Sequence, residues 1–124
     1  MLGDADVVAF VATTDPVAAR TFYGDVLGLP VVDDSPFAVV FDANGTMLRV
    51  TVVQEAVLAP YTVLGWEVAD IAAAIRELVG RGVAFERFDG MEQDDLGVWA
   101  APSGALVAWC KDPEGNVVSL TQMP

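Results

Sequence analysis

The chain has no histidine, a single cysteine (Cys110), and only 6 basic residues against 18 acidic ones. Without histidine, it lacks both a frequent zinc ligand and the most versatile general base. One cysteine excludes a disulfide within the chain and fits a reducing compartment, where we expect Cys110 to serve packing. A formal charge of -12 would repel a phosphate backbone, so we expect no nucleic-acid partner.

Long apolar runs are also missing. No stretch approaches the roughly 20 apolar residues that span a bilayer, and the N-terminus carries acids where a secretory signal carries positive charge. We therefore expect a cytoplasmic protein without membrane contact. Of the 124 residues, 54% are hydrophobic, which is enough for one domain over residues 1–124 with its own core.

The same order of predicted elements occurs twice. The strand-like run "ADVVAFVAT" ends at Asp15-Pro16 and "YTVLGWEVAD" ends at Asp70, and either aspartate can cap a following helix. The runs "LPVVDD", "FAVVFD" and "TMLRVTVV" follow the first helix, and "VAFERF", "GVWAAP", "ALVAWCKD" and "VVSLTQ" follow the second. The spacing predicts two buried helix faces: Ala19, Phe22, Val26 and Leu27 in the first helix, and Ile71, Ile75, Leu78 and Val79 in the second.

The two halves align without a gap at their last hairpins, where "DANGTMLRVT" matches "DPEGNVVSLT" and Arg49 therefore matches Ser119. Asn44-Gly45 in the first turn is a strong hairpin signal. We predict an α+β fold of two βαβββ repeats, residues 1–57 and 58–124, whose sheets form one curved cup with helices on its outer face. Aligning Asp15 with Asp70 adds two matched pairs: Val8 with Val63, and Phe10 with Gly65.

The order of elements, the segment "FYGDVLGL" and the ending "DPEGNVVSLTQ" resemble the glyoxalase, bleomycin-resistance and extradiol-dioxygenase superfamily, also called vicinal oxygen chelate. The resemblance covers essentially the whole chain. It implies the fold more firmly than the chemistry, because one fold hosts many functions.

In metal-dependent members of that superfamily, the ligands lie on the first and last strands of each repeat. The resemblance places those positions at Val8, Arg49, Val63 and Ser119. Two valines, an arginine and a serine do not offer the imidazole, carboxylate or amide donors that divalent ions need. We therefore expect neither a metal nor another cofactor, and none of the metal-dependent lyase or dioxygenase chemistry.

Side chains two apart on a strand share a face, so the cup lining can be predicted. The convex face is expected to carry apolar residues under the helices: Val7, Ala9, Val11, Leu48, Val50, Val52, Leu64, Trp66, Val68, Val118 and Leu120. The concave face is expected to be apolar with a few polar groups, as ligand sites usually are. The predicted ligand-binding residues on that face are Phe10, Met47, Arg49, Tyr61, Glu67, Trp109 and Ser119.

Arg49 and Glu67 are the two charged residues on the predicted concave face. They either pair with each other, anchor a ligand carboxylate or amine, or reach solvent at the strand ends. In bleomycin-binding relatives, aromatic side chains line a groove for a flat, cationic drug. Trp66 is expected in the core, whereas Trp99 and Trp109 fit either a core or a groove position. The segment "DGMEQDDLG" is expected to be a solvated connection or an acidic lip over the cup.

Three functions remain open on the sequence. The first is a metal-independent small-molecule binder that sequesters a drug or metabolite of cationic or aromatic character. The second is a metal-independent isomerase or lyase that uses Glu67 and Arg49, since a carboxyl group in an apolar cup would have a raised pKa. The third is a partner-binding module with a plugged cup. We also expect a homodimer, because members of this length commonly pair.

Overall fold

The computed structural model describes all residues, 1–124, and divides into two compact units. Unit 1 is Met1–Leu58 and unit 2 is Ala59–Pro124. Each unit contains one four-stranded mixed sheet with helical turns between its first and second strands. No helix of either unit combines the length and the apolar character that crossing a membrane requires.

Unit 1 has the strand order β1-β4-β3-β2. Strand β1 is parallel to β4, whereas the β4–β3 and β3–β2 pairs are antiparallel. Helix α1 follows β1 and continues without a break into a π-helical segment, Thr21–Val26. The elements are β1 (Val8–Thr13), α1 (Pro16–Arg20), β2 (Val31–Asp34), β3 (Ala38–Ala43) and β4 (Thr46–Val52), preceded by a 3-10 turn at Leu2–Asp4.

Unit 2 repeats this arrangement with the strand order β5-β8-β7-β6. Its first and last strands are again parallel, and its other pairs are antiparallel. The predicted βαβββ order is therefore confirmed in both halves of the chain. The elements are β5 (Leu64–Glu67), α2 (Ile71–Gly80), β6 (Trp99–Ala100), β7 (Leu106–Lys111) and β8 (Val117–Gln122).

The helix caps confirm the pattern that the sequence suggested. The Asp15 carboxylate accepts a hydrogen bond from the Ala18 amide, and the Asp70 carboxylate accepts one from the Ala73 amide, both at 3.1 Å. Each satisfies an amide that has no partner within the first helical turn. Pro16 occupies the first position of α1, where its fixed φ and its missing N–H cost nothing.

The two matched hairpins turn by different means. In unit 1, Asn44 and Gly45 both have positive φ, 51° and 92°, as a tight two-residue hairpin turn requires. In unit 2, the buried Asp112 carboxylate accepts hydrogen bonds from the amides of Glu114, Gly115 and Asn116 at 2.9 to 3.0 Å. The aspartate of the terminal motif is therefore a turn-forming residue.

One face of each sheet packs against its helix. In unit 1 the core includes Tyr23, Phe41, Leu48 and Val50, which are fully buried, with the Tyr23 and Phe41 rings 5.9 Å apart. In unit 2 the core is built from five buried residues of α2, β7, β8 and the segment before β6: Ile71, Ile75, Val98, Ala108 and Leu120. Trp66 packs against this second cluster, as the alternation of β5 predicts.

Several details differ from the sequence expectations. Val7 precedes β1 and is 71% exposed, so it does not belong to the core face. Val79 is 52% exposed, and it lies in the last turn of α2, one turn beyond the buried Ile75. The run "VAFERF" forms no strand and contributes one isolated bridge, from Phe85 to Cys110. The π-helical segment after α1 was not expected.

Candidate functional site

The strand register tests the alignment of the two halves. Phe10 of β1 lies directly opposite Arg49 of β4, and Gly65 of β5 lies directly opposite Ser119 of β8. Aligning Asp15 with Asp70 matches Phe10 with Gly65, and the gapless alignment of the last hairpins matches Arg49 with Ser119, so the two pairs are equivalent in the two repeats. The alignment of the repeats is therefore confirmed at the first and last strands of each unit.

The four positions that correspond to metal ligands do not form a donor set in this chain. Val8 and Val63 have no side-chain atom that can bind a metal, and the Arg49 guanidinium is cationic. Ser119 alone offers a neutral oxygen. No group of three or more histidine, cysteine, aspartate or glutamate side chains is placed to hold an ion elsewhere in the chain. The chemistry of these residues does not fit the metal that the resemblance implies.

The face of the unit 1 sheet that does not pack against α1 is apolar and partly exposed. We call it the open face of unit 1, and its exposed members are Val8, Phe10 and Met47. Phe10 is 60% exposed, which is unusual for a large aromatic side chain in the middle of a strand. Arg49 lies half-buried between Phe10 and Val40 in the same row across the sheet.

The corresponding open face of unit 2 is the sheet face opposite α2. Residues directly paired across a sheet share a face, so the pairing defines its rows. The central row is Gly65, Ser119 and Trp109. The next row carries Glu67, Thr121, Val107 and Trp99.

Three aromatic rings meet on this open face of unit 2. The Trp99 and Trp109 ring centroids are 6.2 Å apart with a 35° angle between the planes. The Phe88 ring stands edge-on to Trp109, with centroids 5.5 Å apart and an interplanar angle of 86°. We call Phe88, Trp99 and Trp109 the aromatic cluster. Both tryptophans are half-buried and Phe88 is exposed, so the cluster presents ring surface to solvent.

The orientation of Trp109 is fixed from several sides. Its indole N–H donates a 3.0 Å hydrogen bond to the Thr62 hydroxyl, and the edge-on Phe88 ring restricts it further. Because its polar atom already has a partner, the exposed part of the indole is its apolar ring surface. A ring held in one orientation loses little conformational freedom when a ligand stacks on it.

Phe88 reaches Trp109 because the segment after α2 is closed by Gln93. The Gln93 side chain accepts a hydrogen bond from the Phe88 amide and donates two others, to the carbonyls of Glu86 and Gly97, at 2.8 to 3.0 Å. Asp94 accepts hydrogen bonds from the amides of Leu96 and Val98. The acidic segment is therefore a hydrogen-bonded connection that positions Phe88.

The structure places the predicted site residues in two groups. Phe10, Met47 and Arg49 share the open face of unit 1, and Ser119, Trp109 and Glu67 share that of unit 2. Tyr61 lies outside any strand, three residues before β5, and is exposed, so the strand alternation that made it a wall residue does not apply to it.

The charges of Arg49 and Glu67 are less enclosed than a buried ion pair would require. Glu67 is exposed at the end of β5, and Arg49 is half-buried. The ion pairs within each unit involve other residues, such as Arg20 with Asp34 and Lys111 with Glu86. The pairing of Arg49 with Glu67 stays a prediction.

Sequence reasoning missed Phe88 and Thr62, matched Gly65 with Phe10 without giving it a role, and left Trp99 undecided. Trp99 lies in a strand of two residues, too short for a reliable alternation pattern. The position of Gly65 opposite Ser119 was available from the alignment of the repeats, although its small size was not used. Phe88 and Thr62 depend on contacts across the fold that no local pattern reports.

Cys110 does not belong to the open face. It lies on the opposite side of β7 from its neighbour Trp109 and is 3% exposed. Burial, together with the negative charges of Asp112 and Glu86, raises the pKa of its thiol to about 11. A thiol in this state is a poor nucleophile.

A separate groove of about 490 Å³ opens in unit 2 beside the start of α2. Its walls include Ile71, Val98 and Leu106 from the core side of the sheet, and the polar residues Glu92, Gln93 and Asp94 from the connecting segment. None of the predicted site residues lines it.

Solved structures with the same fold have low sequence identity to this chain. Lactoylglutathione lyase from Agrobacterium tumefaciens is 21% identical with a TM-score of 0.75, covering 96% of this chain and 93% of its own. A glyoxalase family protein from Enterococcus faecalis is 17% identical with a TM-score of 0.75, covering 98% and 99%. TioX from Micromonospora sp. ML1 is 18% identical with a TM-score of 0.70, covering 97% and 99%. At these identities the likeness shows the fold alone.

No curated protein matches the sequence significantly. The model of the Glyoxalase/Bleomycin resistance protein/Dioxygenase superfamily matches residues 6–120, nearly the whole chain. The chain belongs to the Glyoxalase/Bleomycin resistance protein/Dioxygenase superfamily.

Proposed function

We propose that this protein is a metal-independent binder of small, flat molecules of aromatic or cationic character, which it sequesters in the cytoplasm. The observation that carries the proposal is the aromatic cluster on the open face of unit 2, in which Trp109 is held by Thr62 and Phe88. Aromatic rings fixed on a partly exposed apolar face are suited to stacking against a planar ligand.

The charge of the protein favours a cationic ligand. Acidic residues outnumber basic ones three to one, which gives a negative field at the surface. Glu67 contributes on the open face itself, in the row that also contains Trp99. Tryptophan rings add cation–π attraction, worth about 0.5 to 2 kcal/mol per contact.

The first experiment is calorimetric titration of the protein with proflavine, a planar acridine cation. We expect saturable binding of one dye per chain, unchanged by EDTA. Replacing Trp109 with alanine should weaken binding by about fivefold to a hundredfold, since removing an aromatic side chain on which a flat ring stacks costs about 1 to 3 kcal/mol of binding free energy.

Trp66 provides the matched control, because it is the same residue type on the helix-packed face of the same sheet. Trp66→Phe should leave proflavine affinity within about twofold of the wild type. Equal losses from Trp109→Ala and Trp66→Phe would mean that binding follows general stability, and the proposed site would be wrong. Loss of dye binding on metal removal would contradict metal independence.

A metal-independent isomerase or lyase is the second candidate. It is favoured by the position of Glu67, whose carboxylate shares the open face with Ser119 and Trp109. The sequence hypothesis also gives Arg49, on the open face of unit 1, the role of binding an anion. The enzyme would require Glu67 for turnover, whereas the binder tolerates Glu67→Gln with only a modest loss of affinity for a cation.

A further inference from the structure

The Ser119 hydroxyl is an unused hydrogen-bonding group in the candidate site. Ser119 is only 9% exposed, yet its side chain has no hydrogen-bond partner within the protein. Every fully enclosed polar side-chain atom of the chain does have a partner. The Ser119 oxygen is therefore not fully enclosed, and the strand register places it on the open face of unit 2 between Gly65 and Trp109.

Gly65 makes room for that hydroxyl. A Cβ atom added to Gly65 would lie 2.5 Å from the Ser119 Oγ, closer than such atoms approach in proteins. The backbone of Gly65 does not have positive φ, so the absence of a side chain is what matters at this position. Any larger residue at position 65 would push the hydroxyl out of its place.

Gly65, Ser119 and Trp109 are neighbours in one row across the sheet, and the Ser119 hydroxyl lies over Gly65, 2.5 Å from where a Cβ would stand. We call the surface around this hydroxyl, beside Trp109, the notch; its polar group can both donate and accept a hydrogen bond. A polar atom that is mostly removed from water and has no protein partner favours a ligand that supplies one.

We propose that the Ser119 hydroxyl is the specificity-determining contact of the site, selecting planar aromatic ligands that carry a hydrogen-bonding group such as an amine on the ring edge. This inference rests on the proposed function, because it assumes that the ligand stacks on the aromatic cluster. The ring contacts Trp109, and the edge group enters the notch and bonds to Ser119.

The test compares proflavine, which has primary amines on its ring edge, with acridine orange, in which those amines are fully methylated and cannot donate. Ser119→Ala should weaken proflavine binding about three- to tenfold, the fold-change expected for one neutral hydrogen bond. Acridine orange affinity should change less than about twofold. Gly65→Ala should reproduce the proflavine loss while leaving Ser119 in the sequence.

Ser103→Ala is the matched control, since Ser103 is an exposed serine of the loop before β7. It should affect neither dye, and melting temperatures should show that all variants are folded. If Trp109→Ala abolishes proflavine binding but Ser119→Ala and Gly65→Ala do not weaken it, the inference is wrong and the proposed function stands. If Ser119→Ala weakens both dyes equally, selection by the hydroxyl is also refuted. If the wild type binds neither dye, the proposed function and this inference fail together.

Discussion

Replacing Asp112 with alanine should destabilise the protein far more than most single substitutions. The Asp112 carboxylate accepts hydrogen bonds from three backbone amides of the last hairpin turn, and its second oxygen accepts one from the Asn116 side chain at 2.9 Å. Asp112 is 6% exposed and Asn116 is 8% exposed. After the substitution, the backbone amide and the side-chain NH2 of Asn116 lose these hydrogen bonds at a buried position, where water hardly reaches them.

The magnitude follows from the number and setting of these bonds. A hydrogen bond to a charged group contributes about 1.5 to 3 kcal/mol, and a buried donor left without a partner costs about 1 to 3 kcal/mol. The amides of Glu114 and Gly115 are half-exposed and regain water, so their loss is small. We expect about 3 to 4 kcal/mol in total, a large part of the roughly 5 to 15 kcal/mol that stabilises an ordinary domain.

Asp42 of the matched hairpin in unit 1 offers the control. It is exposed and accepts one hydrogen bond, from the Gly45 amide at 2.7 Å. Asp42→Ala should therefore cost about 0.5 to 1.5 kcal/mol. Urea denaturation of both variants measures the two free energies of unfolding. A cost below about 1 kcal/mol for Asp112→Ala, or equal costs for the two variants, would refute the assignment of Asp112 as the residue that builds the turn.

Three further predictions concern charge, the thiol and assembly. Arg49→Met and Glu67→Gln should each change the free energy of unfolding by less than about 1 kcal/mol, since Glu67 is exposed, Arg49 is half-buried, and an ion pair between such groups contributes little; a loss of about 3 kcal/mol or more in urea denaturation would indicate a buried pair. The pKa of the Cys110 thiol is raised from 9.0 to about 11, so its contribution to stability is present below pH 9 and is lost as the pH rises to 11. Between pH 8 and pH 10, the free energy of unfolding of the wild type should therefore fall by about 1 kcal/mol more than that of Cys110→Ala. Parallel pH profiles for the two proteins would contradict this. Light scattering at micromolar concentration should give the mass of a homodimer. The mass of a monomer would contradict the expected dimer.

Much of the fold was predictable because the signals that define it are local. Asp15 and Asp70 lie directly before their helices, and strand alternation correctly placed Trp66 on the core face and Ser119 on the opposite one. The prediction that Val79 is buried was wrong for a related reason: helical spacing fixes the direction of a side chain but not how far the surface that covers the helix extends.

The candidate site was only partly predictable, because its assembly depends on contacts distant in sequence. Trp109 was proposed, but its orientation depends on Thr62, 47 residues earlier. Phe88 reaches the cluster only because the Gln93 side chain closes the intervening segment. No periodicity in the sequence reports a side-chain amide that bonds to several backbone groups at once.

The separation of the three tryptophans between two faces of one sheet gives the protein a built-in optical reporter. Trp99 and Trp109 are close enough for their excited states to couple, so their near-ultraviolet circular dichroism should contain a paired signal that depends on the 35° angle between the rings. Trp66 lies on the core side and should contribute an unpaired signal that is insensitive to events on the open face. Rearrangement of the aromatic cluster and general unfolding would therefore leave different spectral signatures in the unlabelled chain.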